Sequence, residues 1–277
     1  MKKIIVPVDF SDYSERALQT AAFFAKEQNA EIVVVHMLEL SNAVINQSQS
    51  YIQEEAVFYM KLAEKRFKEF LNKPYLEGIK ITPIIKHFKI FSELDVLARE
   101  EEADLIIMGS KGTSGMQEIF VGSNTEKVIR HSKTPVLVIK EEAITSSLKK
   151  AAFACDFSDD DIDPLLKAEK LFSTLKCPLE LVYVRTPYVK FKSTKELNER
   201  IKLFLHKLQD SGLTEDKIHV VSEYSIEEGL RYFVTQENVD VLVVATHGKK
   251  GFTHFFEGSI SEDVANHSNF PVLSFKI

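Results

Sequence analysis

Glycine is scarce in this chain of 277 residues, ten in all, and seven of the ten fall into two short windows. The first holds Gly109, Gly112, Gly115 and Gly122; the second holds Gly248, Gly251 and Gly258. Each window follows an apolar run and leads into a segment of helical pattern. Glycine in such a place serves a positive φ or a close approach of the backbone to something. The first window is Gly109-Ser110-Lys111-Gly112, nine residues, then Gly122-Ser123. Unpaired N–H groups at the start of the following helix, and the positive end of its dipole, suit a phosphate. Ser123 can add a hydroxyl donor and Lys111 a charge. The spacing is neither G-x-G-x-x-G nor G-x4-G-K-[ST], so the common dinucleotide and P-loop signatures are absent. Ser123-Asn124-Thr125-Glu126 also fits a capping box, as does Ser259-Ile260-Ser261-Glu262. On spacing alone, a structural loop and a phosphate loop stand level.

Other residues able to do chemistry carry weaker signals. Asp9 and Asp156 each follow an apolar run and can act as a base or a Mg²⁺ ligand. Capping the next helix, or hydrogen-bonding a ligand, is the favoured reading, since no second carboxylate at fixed spacing marks a hydrolase. Asp159-Asp160-Asp161 with Asp163 lacks the glycine and distal Glu of an EF-hand; negative charge in a first helical turn explains it better. His247 and His254 stand seven apart without the pattern of a zinc site, and His131 and His267 suit helix C-termini. Cys155, beside Asp156, reads as a small buried apolar residue. The aromatics of Phe252–Phe256 read as core.

The chain repeats itself. Ala103–Lys140 aligns with Val239–Lys276 without a gap, and 14 of 38 positions are identical. Asp9-Phe10-Ser11-Asp12 returns as Asp156-Phe157-Ser158-Asp159. The two offsets differ by 11, which places an insertion in the first half around Leu40–Ala56. A repeat of this period is a whole domain. The expected domains are 1–141 and 148–277, joined by the polar stretch Glu141–Ser147, which is short enough to hold them together. In the first half, strands are expected at Lys3–Val8, Glu31–Met37, Lys80–Lys86, Asp104–Met108 and Val136–Ile139. Helices are expected at Tyr13–Gln28, with Ser11 or Asp12 as N-cap, and at Glu54–Leu71, Phe91–Glu102 and Ser123–His131. The second half follows the same order, with a first helix over Asp160–Leu175, a helix over Thr194–Ser211 and a late one over Glu262–His267. Continuous apolar strands separated by helices imply an α/β fold, a parallel sheet covered on both faces. Ligands of such sheets bind beyond the carboxyl ends of the strands, where strand order switches.

Composition excludes several classes. The net charge is −6, neither half is basic, and no dense Lys/Arg block occurs, which argues against nucleic acid and anionic membrane as partners. No apolar stretch reaches the length of a membrane span. The opening Met1–Asp9 meets an acid too soon for a signal peptide. Two cysteines make no disulfide scaffold, and reduced thiols in the cytoplasm are the simplest reading.

The chain resembles the universal stress proteins in their tandem two-domain form. The resemblance rests on Pro7-Val8-Asp9-Phe10-Ser11, on the strand ending Val35-His36-Met37, and on Ile106–Gly112. It extends through Gly122-Ser123-Asn124-Thr125-Glu126-Lys127-Val128 to Thr134–Val138, and G-x2-G-x9-G-[S/T] is that family's nucleotide-binding signature. It implies two Rossmann-like domains of the adenine nucleotide alpha hydrolase type. Each would be a mostly parallel five-stranded sheet with helices on both faces, the last strands pairing in an internal pseudo-dimer. It implies an adenine nucleotide, ATP with ADP and AMP as alternatives and Mg²⁺ as companion, and a stress-response regulator with an unidentified protein partner. A further homodimer stays open. By position, Pro7, Asp9 and Met37 would flank the adenosine, Met108 and Gly109 would continue that wall, and Gly112, Gly122, Ser123, Asn124 and Thr125 would contact phosphate. No catalytic constellation appears; slow ATP hydrolysis or nucleotidyl transfer on the same fold is the alternative. The second half departs from the pattern: Ala245 replaces Gly109, and Ala154 replaces Pro7. If Gly109 needs a positive φ, alanine costs about 1–2 kcal/mol there; if it makes room for the ligand, a methyl blocks the site. One competent site, in the first half, is expected.

Overall fold

The computed structural model describes residues 1–38, 49–87, 92–110, 123–187, 191–208, 211–246 and 268–277. The first half runs β1 (Lys3–Val8), α1 (Asp12–Gln28), β2 (Glu31–Leu38), α2 (Gln49–Phe70), β3 (Ile81–His87), α3 (Ser92–Glu100), β4 (Leu105–Gly109), α4 (Ser123–His131) and β5 (Val136–Ile139). The second runs β6 (Ala151–Ala154), α5 (Ile162–Thr174), β7 (Leu179–Arg185), α6 (Thr194–Lys207), β8 (Ile218–Ser222), α7 (Ile226–Gln236), β9 (Val241–Thr246) and β10 (Val272–Lys276). The expected helix over Glu262–His267 lies outside the described residues, as do the aromatics of Phe252–Phe256.

All ten strands form one sheet in the order β3-β2-β1-β4-β5-β10-β9-β6-β7-β8. Neighbours within a half are parallel; the two halves meet where β5 and β10 pair antiparallel. Side chains alternate across the sheet, so each strand feeds two cores. Ile4, Val6, Ile32, Val34 and Ile107 join one face with Leu18, Phe24 and Phe67 of α1 and α2. Ile5, Val33, Ile106 and Met108 join the other with Leu94 and Leu97 of α3 and Val128 and Ile129 of α4. Both cores continue into the second half, where Phe172 and Phe204 cover the first face and Leu230 and Phe233 the second.

The linker lies along α1 rather than standing free. The Ile144 N–H donates to Thr20 Oγ1 at 2.9 Å, and the Tyr13 hydroxyl donates to Glu141 at 3.1 Å. Gln28 Nε2 reaches the Thr174 carbonyl of α5 at 3.0 Å, tying the first helices of the two halves together. No helix among the described residues is long and apolar enough to cross a membrane.

Candidate functional site

In the first half the strand order switches at β1 and β4. From there β1 leads to α1 on one face and β4 leads to α4 on the other, which leaves a crevice beyond their carboxyl ends. The pairing of β1 with β4 covers Ile4 and Ile5 only, whereas β1 follows β2 as far as Val8. Pro7, which has no N–H to offer a ladder, stands at this opening.

Ser11 caps α1: its hydroxyl oxygen accepts the Ser14 N–H at 3.3 Å. Asp9 is not the cap but the support of the cap, its Oδ1 accepting both the N–H (3.1 Å) and the hydroxyl (2.5 Å) of Ser11. Between them Phe10 takes φ 66°, a left-handed conformation that bulky side chains rarely adopt. This turns its ring toward His36 (4.5 Å between centroids) and edge-on to Phe67 (5.3 Å) and Phe70 (5.4 Å). His36 Nδ1–H donates to the Val8 carbonyl at 2.8 Å, and burial holds its pKa below the ordinary histidine value, so the ring is neutral at pH 7. A cleft of about 420 Å³ opens beside this loop, lined by Asp9, Phe10, Arg66, Glu69 and Phe70.

Met108 is buried in β4, and Met37 at the end of β2 packs partly buried against the same core. Thr125, 4% exposed, donates its hydroxyl hydrogen to the Gly109 carbonyl at 3.0 Å, which seats the first turn of α4 on the end of β4. Asn124, half-buried, shares that turn. Pro7, Asp9, Met37, Met108 and Gly109 thus stand at or just beyond the carboxyl ends of β1, β2 and β4, and Asn124 and Thr125 in the first turn of α4. Gly112, Gly122 and the side chain of Ser123 lie outside the described residues, so the capping box expected there does too. Glu126, its distal member, pairs with Arg130 at 2.7 Å.

The positive-φ reason for Gly109 gives way to one of packing. Its φ is not in the left-handed region, and a β-carbon would come within 2.7 Å of the carbonyl carbon and oxygen of Tyr13. The glycine lets the first turn of α1 lie directly on β4. In the second half that turn is rebuilt: α5 begins at Ile162, after a 3-10 turn over Asp159–Asp161, where α1 begins at Asp12. Ala245 thus stands in a half whose first helix starts differently.

The acidic run is also more than surface charge. Asp159 pairs with Lys207 and Asp163 with Lys167, but Asp161 turns inward, 5% exposed, and its Oδ2 accepts the Asp156 N–H at 2.9 Å. Burial, reinforced by the Asp156 charge, pushes the Asp161 carboxyl up to about 8. Cys155 is buried, and burial raises its thiol well above the usual value, which makes it inert at neutral pH. No group of three or more His, Cys, Asp or Glu able to hold a metal occurs among the described residues. Sequence reasoning missed Arg66, Glu69 and the ring of Phe10. Only Phe10 left a trace, in the doubled Asp-Phe-Ser-Asp motif.

The family model described as the Universal stress protein family matches residues 1–140 and again residues 148–276. Universal stress protein MJ0577 of Methanocaldococcus jannaschii is 34% identical over 157 residues, 51% of this chain and 96% of that relative. Universal stress protein MJ0531 of the same organism is 31% identical over 150 residues, 50% of this chain and 82% of the relative. A universal stress protein structure from Archaeoglobus fulgidus aligns with a TM-score of 0.72 at 23% identity, covering 99% of this chain and 96% of that one, a likeness of fold.

Proposed function

Because the chain belongs to the universal stress protein family, we propose that it is a nucleotide-binding stress-response regulator that holds one adenine nucleotide, ATP in the first place, in its N-terminal half. The observation that carries this reading is the Thr125–Gly109 hydrogen bond. It seats the N-terminal turn of α4 on the end of β4 at the β1/β4 switch, where the N–H groups of a helix start and the helix dipole would favour phosphate. The G-x2-G-x9-G-S window, which joins these two elements, supports it further.

Pro7, Asp9, Met37 and Met108 would hold the nucleoside end. Gly109 would continue the nucleoside wall, and Gly112, Gly122, Ser123, Asn124 and Thr125 would hold the phosphates. Thr125 acts there through its backbone, since its hydroxyl hydrogen belongs to Gly109. The ligand would supply charge and hydrogen-bonding groups that join the β1–α1 turn to α4. The chain supplies recognition and a loop whose arrangement the ligand sets, with no proton transfer assigned to any residue. A Mg²⁺ ion would arrive with the triphosphate. Domains over 1–141 and 148–277 are the units of this reading. Both cysteines are free thiols, as a reducing compartment such as the cytoplasm requires.

Calorimetric titration of the whole chain with ATP tests it. One site per chain is expected. Two equal sites would contradict the assignment to the N-terminal half, and no binding would overturn the function.

A further inference from the structure

We propose that Arg66 is a nucleoside-contacting residue of the N-terminal cleft, its planar guanidinium lying against the base and ribose of the bound adenylate. The inference rests on the adenine-nucleotide reading above and names a contact which that reading does not contain.

The internal repeat supplies the comparison. Phe157 stands where Phe10 stands and has the same left-handed backbone, φ 60°. It meets Phe204 edge-on at 5.5 Å, as Phe10 meets Phe70 at 5.4 Å. Arg200 precedes Phe204 by four positions, as Arg66 precedes Phe70. The same acid, aromatic pair and arginine are therefore present twice, in two arrangements. In the C-terminal half the arginine is closed onto the loop: Arg200 Nη2 lies 3.5 Å from Asp156 Oδ1, and Arg200 Nε donates to the Phe157 carbonyl at 3.1 Å. In the N-terminal half no ion pair joins Arg66 to Asp9, and no described carboxylate pairs with Arg66. Its guanidinium rests over the Phe10 ring at 5.9 Å, at the edge of the cleft of about 420 Å³.

The chemistry of that cleft selects an end of the ligand. Asp9 and Glu69 repel phosphate but accept hydrogen bonds from amino and hydroxyl groups, which a base and a ribose carry. Phe10 and Phe70 offer apolar faces, and an arginine plane stacks on a ring while keeping its charge in water. Neutral His36 adds no competing charge.

The test uses the whole chain and a fluorescent label on the nucleotide, since the protein has no Trp. Labelled ATP is bound to wild type, Arg66→Ala, Arg66→Lys and Arg200→Ala, then displaced with adenosine or with inorganic triphosphate. Arg66→Ala is expected to weaken labelled ATP and adenosine about tenfold, with triphosphate unchanged. Arg66→Lys should recover part of the loss, and Arg200→Ala should match wild type. Unchanged adenosine affinity in Arg66→Ala overturns the proposal, as does a loss on triphosphate alone or an equal loss in Arg200→Ala. If wild type itself binds no labelled ATP, the adenylate reading falls, and this inference with it.

Discussion

Leu137 and Leu273 face each other across the pairing of β5 with β10, and they are the same position of the internal repeat. The flanking pairs, Val138 with Val272 and Val136 with Ser274, exchange under the repeat as well. The junction is therefore a pseudo-two-fold with Leu137 and Leu273 on its axis, the self-complementary contact that an isologous dimer would make. A difference between the halves adds to it, since Ser274, where the first half has Val138, donates its hydroxyl to the Val136 carbonyl at 3.3 Å; Lys276 Nζ donates to the His131 carbonyl at the end of α4, also at 3.3 Å.

A fragment of residues 1–147 should accordingly dimerise. Without β10 it exposes β5 as an edge made of Val136-Leu137-Val138-Ile139, every one of them buried in the whole chain. Such an edge pairs with a second copy. Sedimentation equilibrium is expected to give a dimer, and Leu137→Lys should return it to monomer. A fragment that stays monomeric at high micromolar concentration would mean that α1 and the linker, not strand pairing, join the halves.

Gly109→Ala should destabilise the N-terminal half by about 2 kcal/mol, because its methyl must displace helix backbone rather than a flexible side chain. Ala245→Gly should cost less than about 1 kcal/mol, through chain entropy alone. Thermal unfolding of both variants checks this. Equal small effects would show that α1 can lift from β4 freely.

Much of this fold was legible because buried parallel strands are written as continuous β-branched runs. Lys3–Val8 and Val136–Ile139 are strands over the stretches expected. Helix ends were less legible. α2 begins at Gln49, five residues before the expected start, because Ser, Asn and Gln carry no apolar period to announce a helix. The candidate site could be proposed from sequence where it lies in a motif, as at Asp9 and Gly109. It was hidden where the cause is a contact between distant segments. Nothing near Gly109 in sequence mentions Tyr13, and Arg66 sits on a helix whose apolar pattern speaks only for its buried side. The Asp159–Asp161 run misled because charge pattern tells of solvent, and Asp161 points inward.

Thr125→Val keeps the side chain's shape and removes the hydroxyl that seats α4 on β4. Leaving the Gly109 carbonyl without that donor should cost about 1–2 kcal/mol. ATP affinity should fall with it, since the N–H groups proposed to meet phosphate are positioned by this bond, and Thr125→Ser should restore both. Calorimetry and thermal melts on the three proteins decide. A valine variant with wild-type affinity would separate the bond from the ligand.

Asp161 should make stability fall as pH rises. Its carboxyl is raised to about 8 in the folded protein by burial and by Asp156, while in the unfolded chain it ionises near ~3.9. Between these values the folded state holds a proton that the unfolded state has released, so each step up in pH favours unfolding. The contribution is whole below about pH 4 and is lost as pH climbs through about 8. Asp161→Asn imitates the protonated acid: its oxygen can accept the Asp156 N–H, and its amide can donate to the Asp156 carboxylate. Urea denaturation of both proteins from pH 5 to pH 8 cancels the histidines common to the two. The variant should gain on wild type steadily across that range, whereas parallel profiles would show that Asp161 is already ionised within the core.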